Sequence, residues 1–470
     1  MKKYDLVPLD AVAAMPHRDI LDLYRRHVAP GILANLKILG FDRVRVVRAE
    51  GMWLHTADGR RILDFSAGMN VLNHGHNHPR VTAARHRFDE ERGLEVCKAL
   101  VPAYQAVLAR NIAAICPGGL QYSFFANSGA EANEGALKIA QVFHGKARDK
   151  FLYTDLGYHG KTFGTMSVSG PFGKPYKELF KGLDGCIQVP WGDLEATRRA
   201  IEGRTTWGRC DVAAMILEPV KGDLAMLPPA GYLEALVDLL HEHGILAIFD
   251  EIFTGFGRTG RMWGFEHTAA VPDILTFSKS LGGGKASIAG YVVPKRIFDR
   301  TYASPTRCAI HSTTFGGLGG ECAVAIEALN VLVDEGLVDR SRELGAYMLE
   351  RMRDLQARHP RLIKEVRAVG LLGVMRTARA TELLDARLPR VNAVDDLLEG
   401  LIPGLVVSEL LKRHDVLIYT GGREDNLFVN PALIVTREEI DLFFDKLDAV
   451  LSSNLARLAA GLAANWLPAE

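Results

Sequence analysis

The sequence predicts an α/β fold with a mostly parallel central sheet, and three observations predict it. Short apolar runs alternate with stretches of helical periodicity, as crossover connections between parallel strands require. Four of these runs are apolar enough to be strands buried on both faces: FLYTD from Phe151, VAAMILEP from Val212, ILAIFDE from Ile245 and ILTFSK from Ile274. Each leads into polar chemistry, in order Tyr158 with His159, Glu218, Asp250 with Glu251, and Lys279. Ligands of open α/β sheets bind beyond the carboxyl ends of the strands, so these distant residues are expected to meet in one crevice.

The elements follow in order along 470 residues, a length with room for two or three domains. Residues 1–75 form an N-terminal segment that packs with the smaller unit. It holds a helical stretch and then VRVVRAEGMWLHTADGRRILDF, where Asp58-Gly59 between apolar alternations reads as a hairpin turn. Residues 76–335 carry the four buried runs and form the large domain. Within it, Asn127, Ser128 and Gly129 supply turn and cap chemistry, and Ala132, Ala136, Ile139, Ala140 and Phe143 then keep helical spacing. Residues 336–470 form a smaller C-terminal α/β unit. It comprises a helix over SRELGAYMLERMRDLQARH, one strand near VRAVGLLGVM, a Leu-rich stretch to Gly404, and a final hairpin and helix.

Composition removes several classes of function. Lys plus Arg (56) equals Asp plus Glu (56), so no net field draws in a polyanion and nucleic acid is not an expected partner. No uncharged stretch is long enough to span a bilayer, and the N-terminus has no apolar run of signal-peptide length, so no membrane association is expected. The six cysteines lie singly with no C-x-x-C pair, which fits reduced thiols in a cytoplasmic protein.

Two familiar fingerprints are decoys. GFGRTG, Gly255 to Gly260, follows a strand but opens no helix to hold a pyrophosphate. GGGKAS resembles a phosphate loop, yet Ala286 stands where a magnesium-binding hydroxyl is needed. His74, His76 and His78 share a face only in an extended chain, and Gly75 and Pro79 argue for a turn, so no metal is expected.

Three other features carry more. Ser128, Gly129 and Ala130 begin a helix with small side chains, an arrangement that either caps the helix or cradles a phosphate. Asp250 ends an apolar strand and needs a cationic or N–H partner, either in a structural ion pair or at the ring nitrogen of a bound pyridine. Lys279 leaves an apolar strand for a glycine-rich loop; it either snorkels to solvent or, desolvated, supplies the neutral amine that imine formation requires. Together, phosphate cradle, pyridinium carboxylate and imine-forming lysine are the three contributions that pyridoxal 5'-phosphate needs from a protein.

From about residue 28 to about 450 the chain resembles the class III aminotransferases, the ω-transaminase and ornithine aminotransferase group of fold-type I pyridoxal phosphate enzymes. The motifs TADGRRILDF, NSGAEANEGALKIA, GYHGKTFGTMSVSG, ILEPVKG, FDEIFTGFGRTG, DILTFSKSLGGG and HSTTFGG carry the resemblance, in family order. It implies Lys279 as the Schiff-base lysine, Asp250 at the pyridinium nitrogen and Ile252 beneath the ring. Ser128, Gly129 and Ala130 would hold the phosphate, Tyr158 would stack on the open ring face with His159 beside it, and Glu218 and Glu251 would lie near the ring hydroxyl edge and the substrate gate. Thr314 would reach the phosphate of a neighbouring subunit, which implies a homodimer with shared sites. The activity implied is ping-pong transfer of an amino group from an amine or ω-amino donor to a keto acid. An aminomutase, racemase or decarboxylase on the same cofactor, or a catalytically silent homologue, are the alternatives.

The sequence departs from the family pattern at three places. Phe428 in NLFVNPALIVT stands where members that grip an α-carboxylate carry arginine, which makes Arg423 in TGGREDN the nearest candidate for that task. Lys285 replaces an apolar residue and is a candidate for the entrance, or for plain solvent exposure. The stretch from Thr377 to Pro403 is longer than the resemblance implies.

Overall fold

The computed structural model of the chain describes residues 4, 6–96, 99–170, 181–383, 400–420 and 425–453. Its centre is a seven-stranded sheet in the order Leu120–Ala126, Ala289–Pro294, Ile274–Phe277, Leu246–Asp250, Val212–Leu217, Lys150–Thr154 and Cys186–Val189. All neighbours from Ile274–Phe277 to Cys186–Val189 pair in parallel, and Ala289–Pro294 alone runs against the rest. The four apolar runs are thus four adjacent strands. Val212–Leu217 is buried at every position, because both faces of the sheet are covered.

Alternation along that strand sorts its side chains between two layers. Ala214 and Ile216 pack with Ala136, Ile139 and Ala140 of the helix Gly129–His144, while Met215 and Leu217 pack with Leu233, Leu236 and Leu240 of the helix Tyr232–Glu242. Each such Leu, Ile or Met side chain contributes about 1.5–3 kcal/mol when fully buried, so the sheet is a stiff platform for whatever its strand ends carry. The helix Gly129–His144 starts at a reciprocal cap. Ser128 Oγ accepts from Glu131 N at 3.3 Å, and the Glu131 carboxylate accepts from Asn127 N and Ser128 N at 2.8 and 2.9 Å.

The expected hairpin at Asp58-Gly59 joins Trp53–Thr56 to Arg61–Asp64. Arg61–Asp64 also pairs in parallel with Val416–Leu417, so the N-terminal segment and the C-terminal part of the chain share one sheet. The single strand expected near VRAVGLLGVM is instead two antiparallel strands, Ile363–Val369 and Leu372–Thr377. The apolar run continues through the turn, so only Gly370 marks it. Its φ is +58°, and a Cβ there would lie 2.4 Å from the Thr259 carbonyl carbon. The described end of the Leu-rich stretch, Leu401–Gly404, opens the helix Leu401–Arg413, which is buried without a break from Ile402 to Leu411. Residues 384–399, most of the long stretch, lie outside the described residues. Among the described residues no helix is long and apolar enough to cross a membrane.

Candidate active site

A cavity of about 590 Å³ opens at the carboxyl ends of the central strands and gathers Tyr158, His159, Glu218, Asp250 and Lys279. Asp250 is the last residue of Leu246–Asp250 and is almost fully buried. Its Oδ2 accepts from Asn133 Nδ2 at 2.8 Å and His159 Nδ1 at 2.7 Å, and its Oδ1 accepts from Ile252 N at 3.0 Å. One carboxylate oxygen carries two lone pairs, so Oδ1 retains room for a further donor.

Lys279 follows Ile274–Phe277 with φ +44°, a left-handed conformation that costs a non-glycine residue about 1–3 kcal/mol and persists where the surroundings enforce it. Its Nζ lies 4.0 Å from the centroid of the Phe253 ring. Burial lowers its pKa from 10.5 to about 8, although the carboxylates of Asp250 and Glu218 pull it upward.

Glu218 follows Val212–Leu217. Its Oε1 accepts from Lys221 Nζ at 2.6 Å and Tyr158 N at 2.9 Å, and its Oε2 accepts from Gly222 N at 3.2 Å. Lys221 also faces Asp223 Oδ1 at 2.8 Å. Burial pushes the Lys221 pKa down, but Glu218 and Asp223 more than offset this and leave it above the ordinary lysine value, so it stays charged.

The cradle is built from small residues because larger ones do not fit. A Cβ on Gly129 would lie 2.7 Å from Ile252 Cδ1, and a Cβ on Gly160, at φ +127°, would lie 2.7 Å from Ala130 Cβ. Gly129 and Ala130 present first-turn N–H groups of a helix, which no preceding carbonyl of that helix can take. Such N–H groups, a carboxylate with spare acceptor capacity and an amine of lowered pKa fit the phosphate, ring nitrogen and aldehyde of pyridoxal 5'-phosphate.

The remaining candidates divide. Ile252, Tyr158, His159 and Phe428 line the cavity, whereas Ser128 sits behind the cradle as the helix cap. Glu251 is not at a gate. Strand alternation sends it away from Asp250 into the core, where Oε1 accepts from Phe265 N at 2.7 Å and Oε2 from Thr254 Oγ1 at 2.5 Å. Lys285 is not brought to the cavity either; it is exposed and bonds Asn77. Thr314 lies in a separate small cleft with Glu95, Pro102 and Gln105. Arg423 lies outside the described residues. His74 bonds the Ala328 carbonyl, His76 bonds Asp64 and His78 pairs with Glu335. Arg258 of GFGRTG ties three segments together through Leu371 O, Pro431 O and Asn73.

Sequence reasoning missed Asn133, Lys221, Asp223 and Phe253. Asn133 left a signal, a polar residue on the buried face of an otherwise apolar helix. Lys221 and Asp223 follow Glu218 in a loop with no periodicity to orient them.

A family model described as aminotransferase class-III matches residues 40–451. The ornithine aminotransferase of Toxoplasma gondii ME49 is 28% identical, with a TM-score of 0.79 over 94% of this chain and 96% of that one. A second structure of the T. gondii enzyme, crystallised with oxidised glutathione and partly occupied by PLP at its active site, is 28% identical at a TM-score of 0.80, covering 96% and 98%. A thermostable (S)-enantioselective ω-transaminase from Thermomicrobium roseum is 27% identical at 0.79, covering 95% and 99%.

Proposed function

The chain belongs to the class III aminotransferase family, and we propose that the cavity around Lys279 is where it performs the family's pyridoxal-phosphate-dependent transfer of an amino group. The observation that carries this reading is the meeting of Lys279, its pKa lowered to about 8, and the buried Asp250 carboxylate in one cavity. When bound, the cofactor supplies an aldehyde that takes up the amino group and a ring that draws electrons from the donor carbon.

Lys279 Nζ would hold the cofactor through its aldehyde carbon and, once freed, act as the base that takes the proton from the carbon bearing the donor's amino group. Asp250 would hold the ring N–H by charge, and Asn133 and His159 fix the orientation of its carboxylate. Gly129 and Ala130 would give N–H groups to the phosphate, with Ile252 beneath the ring and Tyr158 above it. Glu218, clamped by Lys221, would stand at the edge of the ring.

The same reading takes the protein as a cytoplasmic homodimer, with Thr314 reaching the phosphate in the neighbouring copy. Exposed Leu94, Val96, Leu100, Val101 and Phe315 support it, an apolar surface beside the Thr314 cleft that a second copy would cover. It also divides the chain at about residues 75 and 335, in keeping with the sheets on either side of those points.

The test is a stoichiometric one. With an amine donor and pyruvate or 2-oxoglutarate, equal amounts of carbonyl product and aminated acceptor are expected, with ping-pong kinetics. A product formed without consumption of an acceptor, or an inverted donor, overturns the reading in favour of another reaction on the same cofactor.

A further inference from the structure

The His159 ring bonds Asp250 through Nδ1, but its other nitrogen, Nε2, has no hydrogen-bond partner among the described residues, and neither has Thr154 Oγ1. Both residues are closed off from solvent, His159 with 1% and Thr154 with 0% of its surface exposed. Unpaired polar atoms at such depth are costly, so two that lie close together call for a shared partner.

Thr154 ends the strand Lys150–Thr154, and its carbonyl accepts from Gly157 N at 3.0 Å, which turns the chain back towards His159. A Cβ on Gly157 would lie 2.7 Å from His159 Nε2, 3.2 Å from Thr154 Oγ1 and 3.3 Å from Thr154 O. Three polar atoms thus converge in front of Gly157, where any other residue would put an apolar carbon. Nε2 and Oγ1 make no bond to each other, yet both reach this one place. A single water suits it, because a buried water needs two to four polar partners.

Charge sets the direction of the bonds. Asp250 is 2% exposed and is the carboxylate that would hold the ring N–H of the bound cofactor. An imidazolium beside it would set two cations against one anion in a buried place, which desolvation penalises. A neutral His159 avoids this: Nδ1–H donates to Asp250 Oδ2 at 2.7 Å, and Nε2 is left as an acceptor.

We infer that a water bound between Thr154 Oγ1 and His159 Nε2 keeps the proton of His159 on Nδ1, which makes Thr154 a positioning residue for Asp250. The inference rests on the amino-transfer reading above and extends it to a residue that does not line the cavity. The water accepts from Thr154 Oγ1 and donates to Nε2 and to Thr154 O. Without the hydroxyl, Nε2 is free to take a proton, and the charge that Asp250 offers the cofactor ring is offset.

The experiment compares wild type with Thr154→Val, which keeps the shape and loses the hydroxyl, and with Thr154→Ser, which keeps the hydroxyl. Solid-state nitrogen NMR of the histidine-labelled, cofactor-loaded enzyme reads the proton directly, with His159 assigned by its loss in His159→Gln. Wild type and Thr154→Ser should carry the His159 proton on Nδ1 alone, and Thr154→Val should show a protonated Nε2. A crystal structure of the wild type should hold one water within ~3.2 Å of both Nε2 and Oγ1. In the donor half-reaction Thr154→Val should lower the maximal rate about 10-fold while the half-saturating donor concentration changes less than about twofold, and Thr154→Ser should restore the rate. A wild-type His159 protonated on Nε2, alone or together with Nδ1, overturns the inference. So does a Thr154→Val enzyme that matches wild type in spectrum and rate, or a Thr154→Ser enzyme as slow as Thr154→Val. The wild-type spectrum decides the matter even where a variant fails to fold. If no amine donor changes the cofactor's visible absorbance, the amino-transfer reading fails and the positioning role falls with it, whereas a misplaced proton overturns the inference and leaves amino transfer intact.

Discussion

Replacing Glu251 by Gln should stabilise the protein above neutral pH while leaving its fold unchanged. Glu251 is fully buried, and burial raises its pKa from 4.5 to about 7, with the neighbouring Asp250 adding to the rise and hydrogen bonds from Thr254 and Phe265 opposing it. A carboxyl whose folded pKa lies above its unfolded one binds more protons when folded. Its contribution is therefore fully present below about pH 4.5 and is lost as pH rises through about 7. At about 1.4 kcal/mol per pH unit, the full loss amounts to about 3.5 kcal/mol. Gln stays neutral throughout and suits the site, because its oxygen can accept from Phe265 N and its amide can donate to Thr254 Oγ1. Urea unfolding of both proteins from pH 5 to 8.5 measures the effect, and subtracting one curve from the other cancels every other titration. The stability of Glu251→Gln relative to wild type should climb by about 2.5 kcal/mol across the range, the remainder falling below pH 5. A difference that stays constant with pH would show that Glu251 is charged in both states and refute the reasoning.

Other outcomes follow from the same geometry. Asp250→Asn keeps a group that His159 and Asn133 can still bond but removes the charge, so turnover should fall at least ~100-fold with the fold intact; near wild-type turnover would make Asp250 purely structural. Thr314→Ala should weaken cofactor retention by ~10-fold or more, the loss of one charge-assisted hydroxyl bond to phosphate. Sedimentation that finds a fully active monomer contradicts that shared-site account. Gly160→Ala forces a side chain onto φ +127° and against Ala130, and should cost ~1–3 kcal/mol in thermal or denaturant unfolding; an unchanged midpoint would mean that the cradle loop shifts freely.

The sheet and its convergence were legible because the signal is local. FLYTD, VAAMILEP, ILAIFDE and ILTFSK are each apolar across both faces, and the rule for ligands at strand ends does the rest. Less legible was anything set by direction at the end of an element. Asp250 and Glu251 are adjacent acids, yet the pleat turns one to the cavity and the other to the core, and their roles diverge accordingly. The turn at Gly370 is hidden because its constraint comes from the loop at Thr259, more than a hundred residues earlier in the chain. Lys221 reads as an ordinary loop lysine until Glu218 and Asp223 are seen on either side of its ammonium. Phe428 carried its message only as a departure, and the structure adds its neighbour Phe253.

The central claim is that Lys279, and no other lysine, carries the cofactor. Borohydride reduction of the yellow holoenzyme, followed by peptide mapping, tests it most directly. Lys279 is the lysine with the lowered pKa beside Asp250, whereas Lys221 is held as a cation by two carboxylates and Lys285 lies away from the cavity. The cofactor mass should therefore appear on the peptide containing Lys279, and Lys279→Ala should abolish the label. Label on Lys221, Lys161 or Lys285 would contradict the account.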